Sequence, residues 1–171
     1  MVDRPVVLVG LMGSGKSSAA SCLARRTTAK VLDTDRMVEK AEGRSVASLF
    51  HDEGEAAFRL LEVAALDQAL STPAPVIIAA GGGIITTPEA RSMLRERAIV
   101  IHLAVSPEVA AARVGHNPSR PLLAGDPLGK LTSLHADRKS LYDEVADHTI
   151  VVDELSPDEI AKAVQAIVEG A

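Results

Sequence analysis

Gly10-Leu11-Met12-Gly13-Ser14-Gly15-Lys16-Ser17 follows the apolar run Val6-Val7-Leu8-Val9. The spacing Gly10-x-x-x-x-Gly15-Lys16-Ser17 is that of a phosphate-binding loop. Glycine lets the backbone turn tightly and aim successive N–H groups inward as an anion nest. The residues after Gly15 read as a helix, whose positive N-terminal end reinforces the nest. Lys16 can reach β- and γ-phosphates, and the Ser17 hydroxyl suits Mg²⁺. Gly13, Ser14, Gly15, Lys16, Ser17 and Ser18 are therefore the expected phosphate contacts.

Further polar groups fall where strands should end. Asp33-Thr34-Asp35 closes the run Lys30–Asp33. In an open α/β sheet the carboxyl ends of strands line the ligand crevice. One carboxylate there can support a metal and the other can take a hydroxyl proton; equally, Asp33 or Thr34 can cap the next helix. Arg59 and Glu62 lie three apart on a helix, either as a surface ion pair or with Glu62 holding a ligand-binding arginine. Val76-Ile77-Ile78-Ala79-Ala80 runs into Gly81-Gly82-Gly83, more glycine than a turn needs, which points to a ligand approaching the backbone. That strand lacks the acidic residue common in phosphate-loop proteins, so Asp33 is the expected metal support. Arg138 and Tyr142, four apart on a helix, are either an exposed pair or part of a site. The five histidines show no metal-ligand spacing, and the lone Cys22 reads as a packing residue.

The elements that must place these groups alternate. Strands are expected at Val6–Val9, Lys30–Asp33, Val76–Ala79, Ile99–Leu103 and Thr149–Val152. Helices are expected after Gly15, over 34–42, over 45–70 with a break near Gly54, after Pro88, Pro107 and Pro157, and over 127–146. Thr87, Ser106 and Ser156 precede first-turn prolines and read as N-caps. Strand–helix alternation with continuous apolar strands predicts one parallel sheet covered on both faces. The 171 residues suit a single domain spanning 1–171. No apolar run is long enough for a membrane span, and a net charge of −5 argues against general nucleic-acid binding. The stretch 115–127, rich in Gly and Pro and carrying Arg120, reads as a lid.

Taken together, GLMGSGKS, Asp33-x-Asp35, Phe58-Arg59, Gly81-Gly82-Gly83, Arg120-Pro121-Leu122-Leu123 and Arg138-Lys139-Ser140-Leu141-Tyr142 resemble shikimate kinase across nearly the whole chain. The resemblance implies the α/β three-layer P-loop kinase fold: a five-stranded parallel sheet in the order 2-3-1-4-5, a substrate-binding region at 34–62 and a mobile lid at 113–126. It implies transfer of the ATP γ-phosphoryl group to the 3-hydroxyl of shikimate, on the path to chorismate and aromatic amino acids. Lys16 would stabilise the transferring phosphoryl group, with Ser17 and Asp33 serving Mg²⁺. Asp35 would be the base and bind substrate hydroxyls. Arg59, Gly82 and Arg138 would bind shikimate, beside Gly81 and Gly83. Arg120 would reach phosphate from the lid, and Arg113 and Pro157 would sit by the adenine. With no Trp, two Phe and one Tyr, the chain must hold adenine with Arg and aliphatic groups. A cytoplasmic monomer is expected, with ATP and shikimate as partners and neither nucleic acid nor membrane. Gluconate kinase shares the P-loop and a polyol acid substrate but not the DTD, FR and GGG motifs.

Overall fold

The computed structural model describes residues 4–115, 123 and 125–170. Arg120, His116 and most of the expected lid lie outside the described residues. Five parallel strands, β1 (Val6–Val9), β2 (Lys30–Asp33), β3 (Val76–Ala79), β4 (Ile99–Ala104) and β5 (His148–Val151), form one sheet in the order β2-β3-β1-β4-β5. The helices are α1 (Lys16–Arg26), α2 (Thr34–Glu42), α3 (Val46–Leu70), α4 (Pro88–Arg97), α5 (Pro107–Val114), α6 (Pro127–Val145) and α7 (Pro157–Gly170). A 3₁₀ turn, Ile84–Thr86, follows the three glycines.

The central strands β1 and β3 are buried along their whole length, as two-sided apolar runs must be. The edge strands depart from that expectation. β2 and β5 are half-exposed, because each has a neighbour on one side only, and Val151 faces solvent. β5 also begins one residue earlier than its apolar run, with His148 already paired to Ile101.

α1 packs on α7, and α6 on α5 and α4. A smaller cluster of Val38, Leu49, Phe58 and Ala65 joins α2 to α3. Within α3, Gly54 (φ 84°) breaks the helix at the foreseen position, so the turn carrying Glu55, Arg59 and Glu62 takes its own direction. Ser106 Oγ accepts the Val109 N–H at α5, and Ser156 and Glu159 form a reciprocal capping box at α7. Thr87 precedes α4 as foreseen, but its side chain makes no capping bond.

The topology puts the carboxyl ends of β2, β3 and β1 side by side. Asp33 is in register with Ala79 and Leu8 with Ala79, so the Asp33–Asp35 turn, the three glycines and the phosphate loop meet at one edge.

Candidate active site

The phosphate loop is built by close backbone approach. At Gly13 (φ 84°) an added Cβ would stand 2.8 Å from the Ala110 carbonyl oxygen. Gly15 (φ 88°) caps α1 in the left-handed region and brings no side chain to the helix end. The first turn of α1 carries no acid. Its leading N–H groups are those an α-helix leaves without intrahelical partners, and such an end suits an anion. Lys16 Nζ donates to the Gly10 and Leu11 carbonyls at 2.7 and 2.9 Å and to Ser14 Oγ at 3.3 Å. Ser14 is fully buried, and its N–H is taken by the Leu11 carbonyl at 3.1 Å. Its side chain therefore shapes the loop from within.

Ser17 Oγ donates to Asp33 Oδ2 at 2.7 Å, and Asp33 Oδ1 accepts the Arg36 N–H at 3.2 Å, capping α2. The two readings of Asp33 are thus compatible: one oxygen serves the cap and the other faces the phosphate loop. Ser17 and Asp33 form an oxygen-donor pair that suits a hard divalent cation completed by phosphate oxygens and water. Among the described residues no cluster of three His, Cys, Asp or Glu offers another metal site.

A cavity of about 440 Å³ opens over this point. Gly13, Lys16 and Ser17 line it together with Asp33, Asp35, Gly81 and Gly82. Arg113, Leu155 and Pro157 line it as well. Arg113 is tied there by its guanidinium, which donates to the Gly13 carbonyl at 3.3 Å and to the Val152 carbonyl at 2.7 Å.

The three glycines have a cause beyond ligand access. None of them adopts a positive φ; what they lack is bulk. A Cβ on Gly81 would collide with Glu62 Oε1 and stand 2.6 Å from Asp35 Oδ1, and one on Gly83 would collide with the Arg59 guanidinium. The Gly81 N–H donates to Thr34 Oγ1 at 2.9 Å, which fixes the strand end to the Asp33–Asp35 turn. The Gly82 carbonyl accepts from Arg138 Nη1 at 2.9 Å and from Tyr142 Oη at 3.0 Å.

Arg59 and Glu62 are no surface pair. Their 2.6 Å contact joins side chains only 12% and 1% exposed. Glu55 holds the other Arg59 nitrogen at 2.8 Å, and the guanidinium lies 5.8 and 5.6 Å from the ring centres of Phe50 and Phe58. Burial pushes the Glu62 carboxyl up to about 7, Arg59 opposes this, and the nearby charge of Asp35 adds to it. Arg138 and Tyr142 are likewise buried rather than exposed.

A family model for shikimate kinase matches residues 12–169. The chain belongs to the shikimate kinase family. It is 40% identical over 164 residues to the shikimate kinase of Streptomyces coelicolor, covering 96% of this chain and 95% of that one. It is 42% identical over 161 residues to that of Salinispora tropica, covering 94% and 95%. Its structure is similar to shikimate kinase from Acinetobacter baumannii in complex with shikimate, with a TM-score of 0.95 and 32% identity over 99% of this chain and 94% of that one. A deoxyadenosine kinase from M. mycoides shares the fold alone, with a TM-score of 0.62 at 11% identity over 98% of this chain and 100% of that one.

Within this member of the shikimate kinase family, Asp35, Gly81, Gly82, Lys16, Ser17 and Arg113 share one cavity. Arg59, Gly83 and Arg138 stand around the glycine turn instead, with their contacts to Glu62, Glu55 and the Gly82 carbonyl. Thr34 was visible in the sequence only as a possible cap; its buried hydroxyl in fact anchors Gly81. His102, to which spacing gives no role, stacks on Tyr142 with ring centres 4.5 Å apart and 13° between planes. No local pattern marks that pair, since β4 and α6 bring it together.

Proposed function

We propose that this chain transfers the γ-phosphoryl group of ATP to the 3-hydroxyl of shikimate, yielding shikimate 3-phosphate and ADP in the pathway to chorismate and the aromatic amino acids. The observation that carries this reading is the shared cavity. A phosphate loop with Lys16 and Ser17 opens directly onto Asp35 and the Gly81–Gly82 turn, with two guanidiniums, the half-buried Arg59 and the buried Arg138, beside that turn. Shikimate has one carboxylate and several hydroxyls. Guanidinium forks match the first, and a carboxylate side chain matches the second.

Each residue has a physical task in this reading. The α1 N-terminal amides and Lys16 neutralise phosphate charge, which is most of what phosphoryl transfer requires. Ser17 and Asp33 would hold Mg²⁺, which would supply charge neutralisation between the β- and γ-phosphates. Asp35 binds the substrate hydroxyls and accepts the proton of the attacking one. Arg59 and Arg138 hold the substrate carboxylate. Glu62 and Glu55 keep Arg59 in place and hold its pKa above the ordinary value although burial opposes it. Arg113 offers its guanidinium face to adenine beside Pro157. Arg120 is expected to complete the phosphate contacts from the lid.

A monomer working in the cytoplasm accords with this role; among the described residues no helix is long and apolar enough to cross a membrane. The test is release of ADP from Mg-ATP with shikimate, gluconate or no acceptor. Turnover with shikimate only is the expected result. Equal turnover with gluconate, or acceptor-independent hydrolysis alone, would overturn the reading.

A further inference from the structure

We propose that Tyr142 is a positioning residue for Arg138, and that the His102 ring is the platform that holds Tyr142 in place. This inference rests on the reading that Arg138 binds the substrate carboxylate.

Arg138 and Tyr142 stand one turn apart on α6 and converge on a single backbone oxygen, the Gly82 carbonyl, at 2.9 and 3.0 Å. The shared acceptor brings the Tyr142 hydroxyl beside the Arg138 guanidinium, whose charge acts on the phenol. Phenol and guanidinium therefore share one acceptor, which sets them side by side. An arginine side chain has several rotatable bonds and loses rotamer entropy when fixed. One bond to a carbonyl leaves the guanidinium plane free to swivel about that contact, whereas a fixed phenol on the same carbonyl limits the swing and holds the carbonyl in place.

The phenol is itself fixed. Tyr142 is 2% exposed, and its ring lies almost parallel to that of His102. His102 sits on β4 in register with Val9, the residue before the phosphate loop. Its Nδ1 is buried, with no hydrogen-bond partner among the described residues. Burial pushes His102 down to about 4, so the ring is neutral near pH 7 and stacks as an uncharged aromatic. The chain of contacts thus runs from the strand that launches the phosphate loop, through His102 and Tyr142, to the guanidinium at the acceptor end. It sets the distance between the two halves of the site.

The experiment compares wild type with Tyr142→Phe, His102→Ala, His102→Phe and Arg138→Lys. Steady-state KM for shikimate and for ATP is measured beside the ¹⁵N NMR signal of the Arg138 Nε–H in substrate-free protein. Tyr142→Phe should raise the shikimate KM about three- to ten-fold, the scale of a lost hydrogen bond. The ATP KM should stay within about two-fold, and the Arg138 signal should broaden or shift. His102→Ala should do the same, while His102→Phe, which keeps a flat ring under the phenol, should restore wild-type KM and signal. An unchanged Arg138 signal in Tyr142→Phe, or an equal rise in both KM values, would overturn the proposal. The reading beneath it fails separately: Arg138→Lys with an unaltered shikimate KM would show that Arg138 is not the carboxylate clamp, whatever Tyr142 does to its signal.

Discussion

Ser17 reaches Asp33 at 2.7 Å across 16 residues of sequence, while the second oxygen of that carboxylate starts α2. One side chain thus couples the phosphate loop to the helix that carries Asp35. Asn ranks with Asp as an N-cap. Asp33→Asn should therefore leave the melting temperature close to wild type, but it removes the charge behind the Ser17 hydroxyl. Groups that support a metal ligand typically contribute about 10–100-fold in affinity or activity. Titration of activity with Mg²⁺ should show a raised requirement and a fall in kcat/KM of that order. A mutant with wild-type Mg²⁺ dependence and kcat/KM would reduce Asp33 to a cap.

Asp35→Asn is expected to remove most turnover without loss of fold. Asp35 faces Glu62 across Gly81, and its charge is one of the influences that raise the Glu62 carboxyl. Taking away that like charge should leave stability equal or slightly higher. Loss of a general base costs about 10²–10⁴-fold. Thermal melting and shikimate-dependent kcat on the same sample decide the matter: near-normal kcat would leave Asp35 with substrate binding alone.

Much of this was legible in sequence because the informative signals are local. The P-loop spacing, the apolar strand runs and the proline-led helix starts each depend on residues close in the chain, and the resemblance supplied the strand order. Burial of charge is different. Arg59-x-x-Glu62 looks the same on a solvated helix as under Phe50 and Phe58, and only the packing of α3 beneath the glycine turn decides which. The same holds for Arg138 and Tyr142, whose shared acceptor is a carbonyl 56 and 60 residues away. Edge strands also escape prediction, since an apolar run does not say how many neighbours it has.

Glu62 gives the fold a pH dependence whose sign can be worked out. Its carboxyl stands at about 7 in the fold against an ordinary 4.5, mainly through burial. Between those values the native chain holds a proton that the unfolded chain has released. The resulting stability is fully present below about 4.5 and is lost as pH rises through about 7. Glu62→Gln removes this titration. The melting temperature of wild type minus that of the mutant should therefore fall as pH increases across that window and level off above it. A difference that does not fall between about pH 5.5 and 8 would show that Glu62 is ionised throughout, held by Arg59.

The glycine turn allows a graded test, because the three positions differ in what a methyl group would meet. At Gly82 the new Cβ finds Met12 Cγ at 3.4 Å, an ordinary contact. At Gly83 it meets the end of the Arg59 side chain, which can swing away. At Gly81 it meets Glu62, buried and held by Arg59, and Asp35 as well. Since none of the three has a positive φ, backbone strain does not enter. Gly82→Ala should be the mildest of the series in both melting temperature and kinetics. Gly83→Ala should stay folded but displace Arg59, raising the shikimate KM by about ten-fold or more, the scale of a charged hydrogen bond, with ATP KM unchanged. Gly81→Ala should lower stability and kcat together, because neither carboxylate can yield without losing its partner or its orientation. The decisive measurement is the pair of KM values and the melting temperature across the three variants. If Gly82→Ala proves the most damaging, the turn is shaped by the ligand or the phosphate loop rather than by the side chains of Glu62, Asp35 and Arg59.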